Sequence, residues 1–331
     1  MNDYGSDGIY ITPRRVGEDG WGLSIKALID NADCSHKARF TLIDADGNEK
    51  ASAIADLRPI ISAKLPVEDP VLWNGRKNPY LYTVRCEIFD STTQEVTDNI
   101  DIRTGLREYH IDSHKGFFLN GEHIKLQGVS RHQDRENMGN AITEKQHAED
   151  VKIILDVGAN SVRLAHYQQN SYFYDLCDES GLLVWAEVPV ISRFSPKRNE
   201  NAEQQLVELI KQNYNHPSIF CWGIENEITI AGSASKKLIT FLKHMHKVAR
   251  HLDPTRYTTC AQLTMCPVNS PLNHITDIIG YNHYYGWYMG SCDEINNWLD
   301  EWHRENPEGK LCLSEYGAEG ITKYHSDSPV Q

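Results

Sequence analysis

The sequence predicts a multidomain protein: an immunoglobulin-like β-sandwich over residues 1–108, then an α/β (TIM) barrel over residues 109–331. Two patterns predict this. Short alternating segments separated by turns fill the first part, and strand-like segments alternate with helix-like ones in the second. The 331 residues also suit about two domains. The second part holds seven strand candidates before the closing HSDSPVQ, one short of a closed barrel, so we expect a barrel truncated after strand seven.

The first 108 residues contain segments in which apolar and polar residues alternate, as in strands with one buried face. These segments are GIYITPRRV, GLSIKALIDN, ARFTLIDADG, YLYTVRCEIFD and IDIRTGLREYHI. DADGNE and FDSTTQE are turn-like breaks between them. The spacing is typical of an immunoglobulin-like sandwich, without the Cys and Trp spacing of antibody domains.

From about residue 110 the pattern changes to alternating strands and helices, which indicates parallel pairing. FFLNGEHIKLQGVSRH predicts a hairpin leading into a strand, and TEKQHAEDVKIILDVGA a helix between an N-cap at Thr143 and a stop at Gly158. The further strands are NSVRLAHY, LLVWAEVPV, SIFCWGIENE, YTTCAQ, DIIGYNHYY and KLCLSEYG. The further helices are SYFYDLCDESG, NAEQQLVELIKQNYN, ASKKLITFLKHMHKVARHLDP and CDEINNWLDEWHREN. A doubly wound open sheet is the alternative, but no GxGxxG follows the first strand.

The composition argues against several classes of protein. A net charge of −13 disfavours a nucleic-acid-binding protein, which would normally carry a basic patch. No apolar run is long enough to span a bilayer, and the opening MNDYGSDGIYITPRR has no apolar signal core. None of the eight cysteines forms a CxxC pair, so we expect reduced thiols and a cytoplasmic location. No nucleic-acid or membrane partner is expected, and a homo-oligomer is left open.

Two β-leaning runs, SIFCWGIENE and KLCLSEYG, contain a carboxylate where each strand ends. Catalytic groups of a parallel barrel lie at strand ends. Two carboxylates on different strands, Glu227 and Glu315, are what glycoside hydrolysis needs: a proton donor and a nucleophile or base. The residues alone leave Glu225 as a competitor of Glu227, because side chains two apart share a strand face. An ordinary surface carboxylate is an equal interpretation.

Five segments together resemble glycoside hydrolase family two, the β-galactosidase and β-glucuronidase family. They are GFFLNGEHIKLQGVSRHQD, NSVRLAHYQQNSYFYDLCDESGLLVWAEVP, NHPSIFCWGIENEI, YNHYYGWY and LSEYGAEG. The resemblance covers almost the whole chain and implies the family's middle sandwich domain followed by its catalytic barrel. The opening YGSDGIYITPRRV resembles the join after the family's N-terminal jelly roll, which we expect to be absent here.

The resemblance implies a role for each candidate. Glu227 would be the general acid/base and Glu315 the nucleophile of a retaining enzyme, with the carboxyl groups roughly 5–5.5 Å apart. Glu319 is a nearby alternative nucleophile, beyond Gly317. Tyr284 would hydrogen-bond the nucleophile. The remaining candidates would bind the sugar: Asn226, His166, His132, Arg163, Trp287 and Asn282.

Several of these assignments have structural alternatives. Arg163 and His166 have opposite parity on one strand, so a local irregularity is required for both to reach the site. Trp287 would form a platform under the sugar, although tryptophan is more often core. Glu187 would contact neighbours of the site or pair with Arg131 or Arg163, since buried carboxylates are usually paired.

The resemblance also implies a specific chemistry. Within the family, SIFCWGIENEITI and SEYGAEGITKYHSDSP look most like β-galactosidases, so we expect a retaining enzyme acting on β-galactosides or related oligosaccharides. A β-glucuronidase or β-mannosidase is the alternative, and a catalytically incompetent fragment that binds only sugar or a partner is the alternative of another class. We expect no cofactor. Ile191 and Arg193 stand where the magnesium-dependent β-galactosidases carry metal ligands, so we expect no metal.

Overall fold

The computed structural model describes residues 3–17, 20–318 and 320. Its first part is a sandwich of two antiparallel sheets, one of three strands and one of four. Buried apolar side chains of both sheets meet in one core that includes Leu23, Ile25, Phe40, Leu42 and Val84. The strands are β1 (Ile9–Val16), β2 (Gly20–Leu28), β3 (His36–Ile43), β4 (Glu49–Asp56), β5 (Ile60–Val67), β6 (Tyr82–Asp90) and β7 (Val96–Thr104). The strand orders in the two sheets are β1-β2-β5 and β4-β3-β6-β7. The predicted sandwich is confirmed.

Two of its strands, β4 and β5, escaped the sequence analysis. β4 reads EKASAIAD, and three alanines, Ala51, Ala53 and Ala55, pack against the core. Alanine gives a weak apolar signal, and the larger Ile54 lies on the exposed face. β5 contains Pro66, which lowers the expectation of a strand. Burial by neighbouring strands, rather than local pattern, defines these two elements.

A small antiparallel sheet links the sandwich to the barrel. It consists of β8 (Tyr109–Asp112), β9 (Gly116–Leu119) and β10 (Glu122–Ile124). Asn120 and Gly121 both have positive φ, 53° and 82°, as a two-residue hairpin turn requires. Phe117 and Leu119 pack with Phe220 and Trp185, so the predicted hairpin fills one end of the barrel.

Seven parallel strands form the barrel sheet in sequence order, β11 to β17, among the residues described. They are β11 (Gly128–Arg131), β12 (Ser161–Leu164), β13 (Leu183–Glu187), β14 (Ile219–Asn226), β15 (Tyr257–Leu263), β16 (Ile278–Asn282) and β17 (Leu311–Glu315). The helices are α1 (Glu144–Asp156), α2 (Ser171–Ser180), α3 (Asn199–Gln212), α4 (Lys236–Leu252) and α5 (Glu294–Glu305). The parallel barrel with seven strands is confirmed; the closing HSDSPVQ lies outside the described residues.

The packing of this sheet against its helices buries a large apolar layer, here called the outer layer, which includes Trp222, Ile224, Leu242 and Met245. The boundaries of α1 follow the predicted signals: the Thr143 N–H donates to Gln146 Oε1 at its start, and the helix ends at Asp156, just before Gly158 with φ 83°. In the described part of the chain, no helix combines the length and apolar character needed to cross a bilayer.

Candidate active site

The carboxyl-terminal ends of the barrel strands bring most of the predicted site residues together. A cavity of about 540 Å³ opens between β11 and β17, the two edge strands of the described sheet, and extends from Gly128 and Ser161 at strand starts to Glu315 at a strand end. Its lining includes His132, Arg163, His166, Tyr284, Ser314 and Glu315. The placement agrees with the rule that barrel chemistry occurs where the strands end.

Arg163 on β12 is the centre of the site's hydrogen bonding. It is 5% exposed. Its Nη1 donates to Glu315 Oε1 at 2.7 Å, its Nε to Glu187 Oε2 at 3.0 Å and its Nη2 to Asn226 Oδ1 at 2.7 Å. Burial lowers the pKa of the guanidinium, but the charges of Glu187 and Glu315 outweigh this and raise it. Of the two partners considered for Glu187, the structure therefore selects Arg163; Arg131 pairs with Asp150 at 2.7 Å.

Replacing Arg163 with Met should strongly destabilise the fold. The apolar side chain keeps much of the volume but leaves the carboxylates of Glu187 and Glu315 without their cation. Breaking a buried ion pair from one side costs about 3–5 kcal/mol. Denaturant unfolding measures this loss. Arg85→Met, which removes an exposed pair with Asp101, is the matched control and should change stability little. Equal losses of stability in the two variants would contradict the description of Arg163 as the buried centre of the site's hydrogen bonding.

Glu315 at the end of β17 has both carboxylate oxygens engaged. Oε1 accepts from Arg163, and Oε2 accepts from the Tyr284 hydroxyl at 2.5 Å. Burial and this hydrogen bond raise the pKa of Tyr284, so its hydroxyl stays protonated and donates. His166 Nε2 lies 3.7 Å from Glu315 Oε1. The surroundings suit an anionic group held in one orientation.

Glu227 follows β14 directly and has a left-handed backbone, with φ 48°. Its N–H donates to the Ala261 carbonyl at 2.8 Å. Its Oε1 accepts from Asn282 Nδ2 at 2.9 Å, and the same nitrogen lies 3.1 Å from Asn226 Oδ1. Asn282, fully buried, thus joins the two residues of the Asn-Glu pair to the end of β16.

Glu225, the competing carboxylate, lies elsewhere. It is 0% exposed, and its oxygens accept from Ile228 N–H at 3.1 Å and Gln262 Nε2 at 3.2 Å. Burial raises the pKa of Glu225 to about 8. The expectation that Glu225 and Glu227 share a face was wrong, because the β14 register shifts between Gly223 and Asn226 and the strand ends before Glu227.

The histidine candidates meet in the cavity. The rings of His132 and His166 have centroids 5.3 Å apart, and His166 Nδ1 lies 2.6 Å from Glu187 Oε1. The parity problem between Arg163 and His166 disappears because β12 ends at Leu164, so strand alternation does not govern His166.

Trp287 lies beside Tyr288, with ring centroids 5.8 Å apart. Like Glu227, Asn226 and Asn282, it is not among the described residues that line the cavity, so its role as a platform under the sugar stays a prediction. The neighbouring Tyr285 stacks on His283, with ring centroids 5.4 Å apart. Glu319, the alternative nucleophile, lies outside the described residues.

Two polar neighbours of the site were missed. The Ser314 hydroxyl donates to Asn282 Oδ1 at 2.7 Å, and the Thr264 hydroxyl donates to the Asn282 carbonyl. Ser314 directly precedes the predicted nucleophile, so strand alternation alone would direct it outward. The pairing of β16 with β17 shifts in register between Tyr281 and Asn282. This shift brings Ser314 toward Asn282, and no pattern in the sequence predicts it.

One group of potential metal ligands occurs in the described part of the chain: Asp175, Asp178 and His216. His216 Nδ1 lies 2.6 Å from Asp178 Oδ2, and Asp175 pairs with Arg103 at 2.7 Å. These contacts account for the group, whose members lie on α2 and just before β14, at the opposite ends of the strands from Glu227 and Glu315. The expectation drawn from Ile191 and Arg193 stays a prediction.

Comparison with known proteins places this geometry in a family context. The model of the TIM barrel domain of glycosyl hydrolases family 2 matches residues 111–327, and the model named glycosyl hydrolases family 2 matches residues 7–107. A β-glucuronidase of Bacteroides fragilis is 37% identical over 99% of this chain and 48% of its own length. A β-galactosidase of Thermoanaerobacter pseudethanolicus is 30% identical over 78% of this chain and 34% of its own.

A solved structure is also similar. The FMN-binding β-glucuronidase from Facaelibacterium prausnitzii L2-6 superposes with a TM-score of 0.94 at 43% identity, over 98% of this chain and 50% of that one. The chain thus spans about half the length, or less, of the relatives it matches.

Proposed function

The chain belongs to glycosyl hydrolase family 2, and on that premise we propose that it forms the sandwich and catalytic barrel of a retaining β-glycosidase. One observation carries the proposal: two carboxylates from different strands, Glu227 and Glu315, face one hydrogen-bonded network. Asn282 reaches Glu227 and Asn226, and Arg163 reaches Asn226 and Glu315. The pair is what double displacement needs.

The first step forms a covalent intermediate. Glu315 attacks the anomeric carbon while the bond to the aglycone oxygen breaks, and Glu227 gives its proton to that oxygen. The product is a glycosyl ester on Glu315. Tyr284 and Arg163 hold the attacking carboxylate in position. Asn226, by this proposal, hydrogen-bonds the sugar's 2-hydroxyl.

The second step returns the enzyme to its starting state. Glu227, now a carboxylate, takes a proton from water, and the resulting oxygen nucleophile attacks the anomeric carbon. The ester bond breaks, Glu315 leaves as a carboxylate, and the sugar keeps its β configuration. The two carboxylates and water complete this cycle; the FMN named for the Facaelibacterium relative has no step in it.

For the sugar, we propose a β-glucuronide as the first candidate. The relatives at 37% and 43% identity are both named β-glucuronidases. A β-galactoside, which the motifs SIFCWGIENEITI and SEYGAEGITKYHSDSP favour, is the second candidate, and the relative at 30% identity named β-galactosidase supports it.

Hydrolysis of the p-nitrophenyl β-glucuronide, β-galactoside and β-mannoside tests the proposal. Two proteins are compared. One is the 331-residue chain. The other is a fusion that joins this chain to the parts of the B. fragilis relative that the chain does not cover. We expect hydrolysis of one sugar to dominate. Activity in the fusion alone would support the site and favour the view that the chain by itself is an incomplete catalyst. Activity of neither protein on any of the three sugars would overturn the proposed function.

A further inference from the structure

Glu225 is a buried carboxyl group that the proposed reaction does not use. It lies beside the outer layer, next to Cys260 and Gln262 of β15, and it is 0% exposed. A carboxylate buried without a cation would be very costly, and none of the described cationic side chains forms a salt bridge with Glu225. It sits only two positions before Glu227 along the chain.

The contacts of Glu225 lie at the turn that carries the acid/base. Its Oε2 accepts the N–H of Ile228 at 3.1 Å, the residue directly after Glu227. Glu227 itself has φ 48°. Residues other than glycine rarely adopt this left-handed conformation, so the surroundings must hold it in place. Two hydrogen bonds flank it: Glu227 N–H to the Ala261 carbonyl, and Ile228 N–H to Glu225.

We propose that Glu225, in its neutral form, is a positioning residue for Glu227, holding the left-handed turn through the Ile228 N–H. The inference rests on the proposed function and assigns Glu225 a part in the acid/base half of that reaction. Glu225 does not reach the substrate; it fixes the backbone from which the Glu227 side chain extends toward Asn282.

The groups packed around Glu225 favour the neutral form. Burial is the largest influence on the pKa of its carboxyl and raises it. Ile228 N–H, Arg163 on β12 and Cys260 on β15 lower this pKa, the charge of Glu187 on β13 raises it, and the net result is a pKa of about 8. From β15, Gln262 presents its amide at 3.2 Å. Gln262 Oε1 has no hydrogen-bond partner among the described residues, and a half-turn of the amide would offer that oxygen to the carboxyl proton.

The first experiment compares the thermal unfolding midpoints of the wild-type chain and Glu225→Gln between pH 5 and pH 9. A carboxyl whose pKa rises from 4.5 to about 8 on folding contributes stability that is fully present below pH 4.5 and is lost as pH rises through about 8. We therefore expect the wild-type midpoint to fall, relative to that of the variant, between pH 5 and pH 8. If the unfolding midpoints of the two proteins changed with pH in parallel, Glu225 would be ionised in the folded protein, and the proposal would be overturned.

The second experiment tests positioning through the leaving group. kcat/KM is measured for an alkyl glycoside, which needs protonation by Glu227, and for a p-nitrophenyl glycoside, which needs little. Glu225→Gln keeps an acceptor for Ile228 N–H and should stay within about threefold of wild type on both substrates. Glu225→Met, of similar length without an acceptor, should lose at least about tenfold on the alkyl glycoside and much less on the aryl one, the loss of one hydrogen bond that orients a catalytic group.

Thr258→Val is the matched control, because it removes a fully buried hydroxyl at the far end of β15, where Thr258 donates to Asp277. It should lower the unfolding midpoint without changing the ratio of kcat/KM for the alkyl glycoside to kcat/KM for the p-nitrophenyl glycoside. Equal losses on both substrates in Glu225→Met, or loss of the alkyl activity in Glu225→Gln, would overturn positioning. Absence of hydrolysis in the wild type would count against the proposed function, while the unfolding curves would still decide the state of Glu225.

Discussion

Replacing Glu315 with Gln should abolish hydrolysis, with kcat/KM falling by about 10⁴-fold or more, as when other enzymes lose their nucleophile. Glutamine has nearly the same shape, but its amide cannot form the glycosyl ester. The variant should remain folded, because Arg163 still has Glu187 as a partner at 3.0 Å. The measurement is kcat/KM on the p-nitrophenyl glycoside that the wild type hydrolyses fastest.

Glu319→Gln is the matched control, since Glu319 is the other carboxylate that the sequence offers near this position. It should retain wild-type activity. Wild-type activity in Glu315→Gln, or loss of activity in Glu319→Gln alone, would contradict the assignment of the nucleophile.

Replacing Glu227 with Ala should produce losses that depend on the leaving group. General acid catalysis contributes about 10²–10⁴-fold, and a poor alkyl leaving group requires all of it. A p-nitrophenolate leaves without a proton, so kcat/KM for the aryl glycoside, which reports the first step, should fall far less. The measurement is kcat/KM across a series of glycosides with leaving groups of increasing basicity.

Azide distinguishes this loss from general damage to the site. A small anion can attack the glycosyl ester without a general base, so azide should accelerate turnover of the aryl glycoside by Glu227→Ala and release a β-glycosyl azide. Azide should leave Glu315→Gln inactive, because no ester forms there. Equal losses on alkyl and aryl substrates, without a response to azide, would argue against Glu227 as acid and base.

The architecture was predictable because its signals are local. Strand–helix alternation, the N-cap at Thr143 and the stop at Gly158 each depend on a few neighbouring residues, and the barrel elements form where these signals occur. β4 was not predictable, since Ala51, Ala53 and Ala55 become core residues only through the sheet that covers them. β5 was not predictable because it contains Pro66, which lowers the expectation of a strand.

The residues of the site were more predictable from the sequence than the contacts between them. The strand-end rule and the family resemblance selected Glu227, Glu315, Arg163 and Tyr284. The register shifts in β14 and between β16 and β17 are tertiary features. They separate Glu225 from Glu227 and turn Ser314 toward Asn282, which strict alternation of side chains excludes. The choice of Arg163 over Arg131 as the partner of Glu187 likewise depends on which strands are neighbours.

Trapping the covalent intermediate tests the central claim most directly. A 2-deoxy-2-fluoro β-glycoside with a dinitrophenyl leaving group forms the ester but hydrolyses slowly, because fluorine destabilises both oxocarbenium-like transition states. The glucuronyl and galactosyl reagents are each incubated with the protein, which is then digested and analysed by mass spectrometry. We predict one fluoroglycosyl group per chain, on the peptide that contains Glu315. A label on another carboxylate, or turnover with inversion and no label, would contradict a retaining mechanism through Glu315.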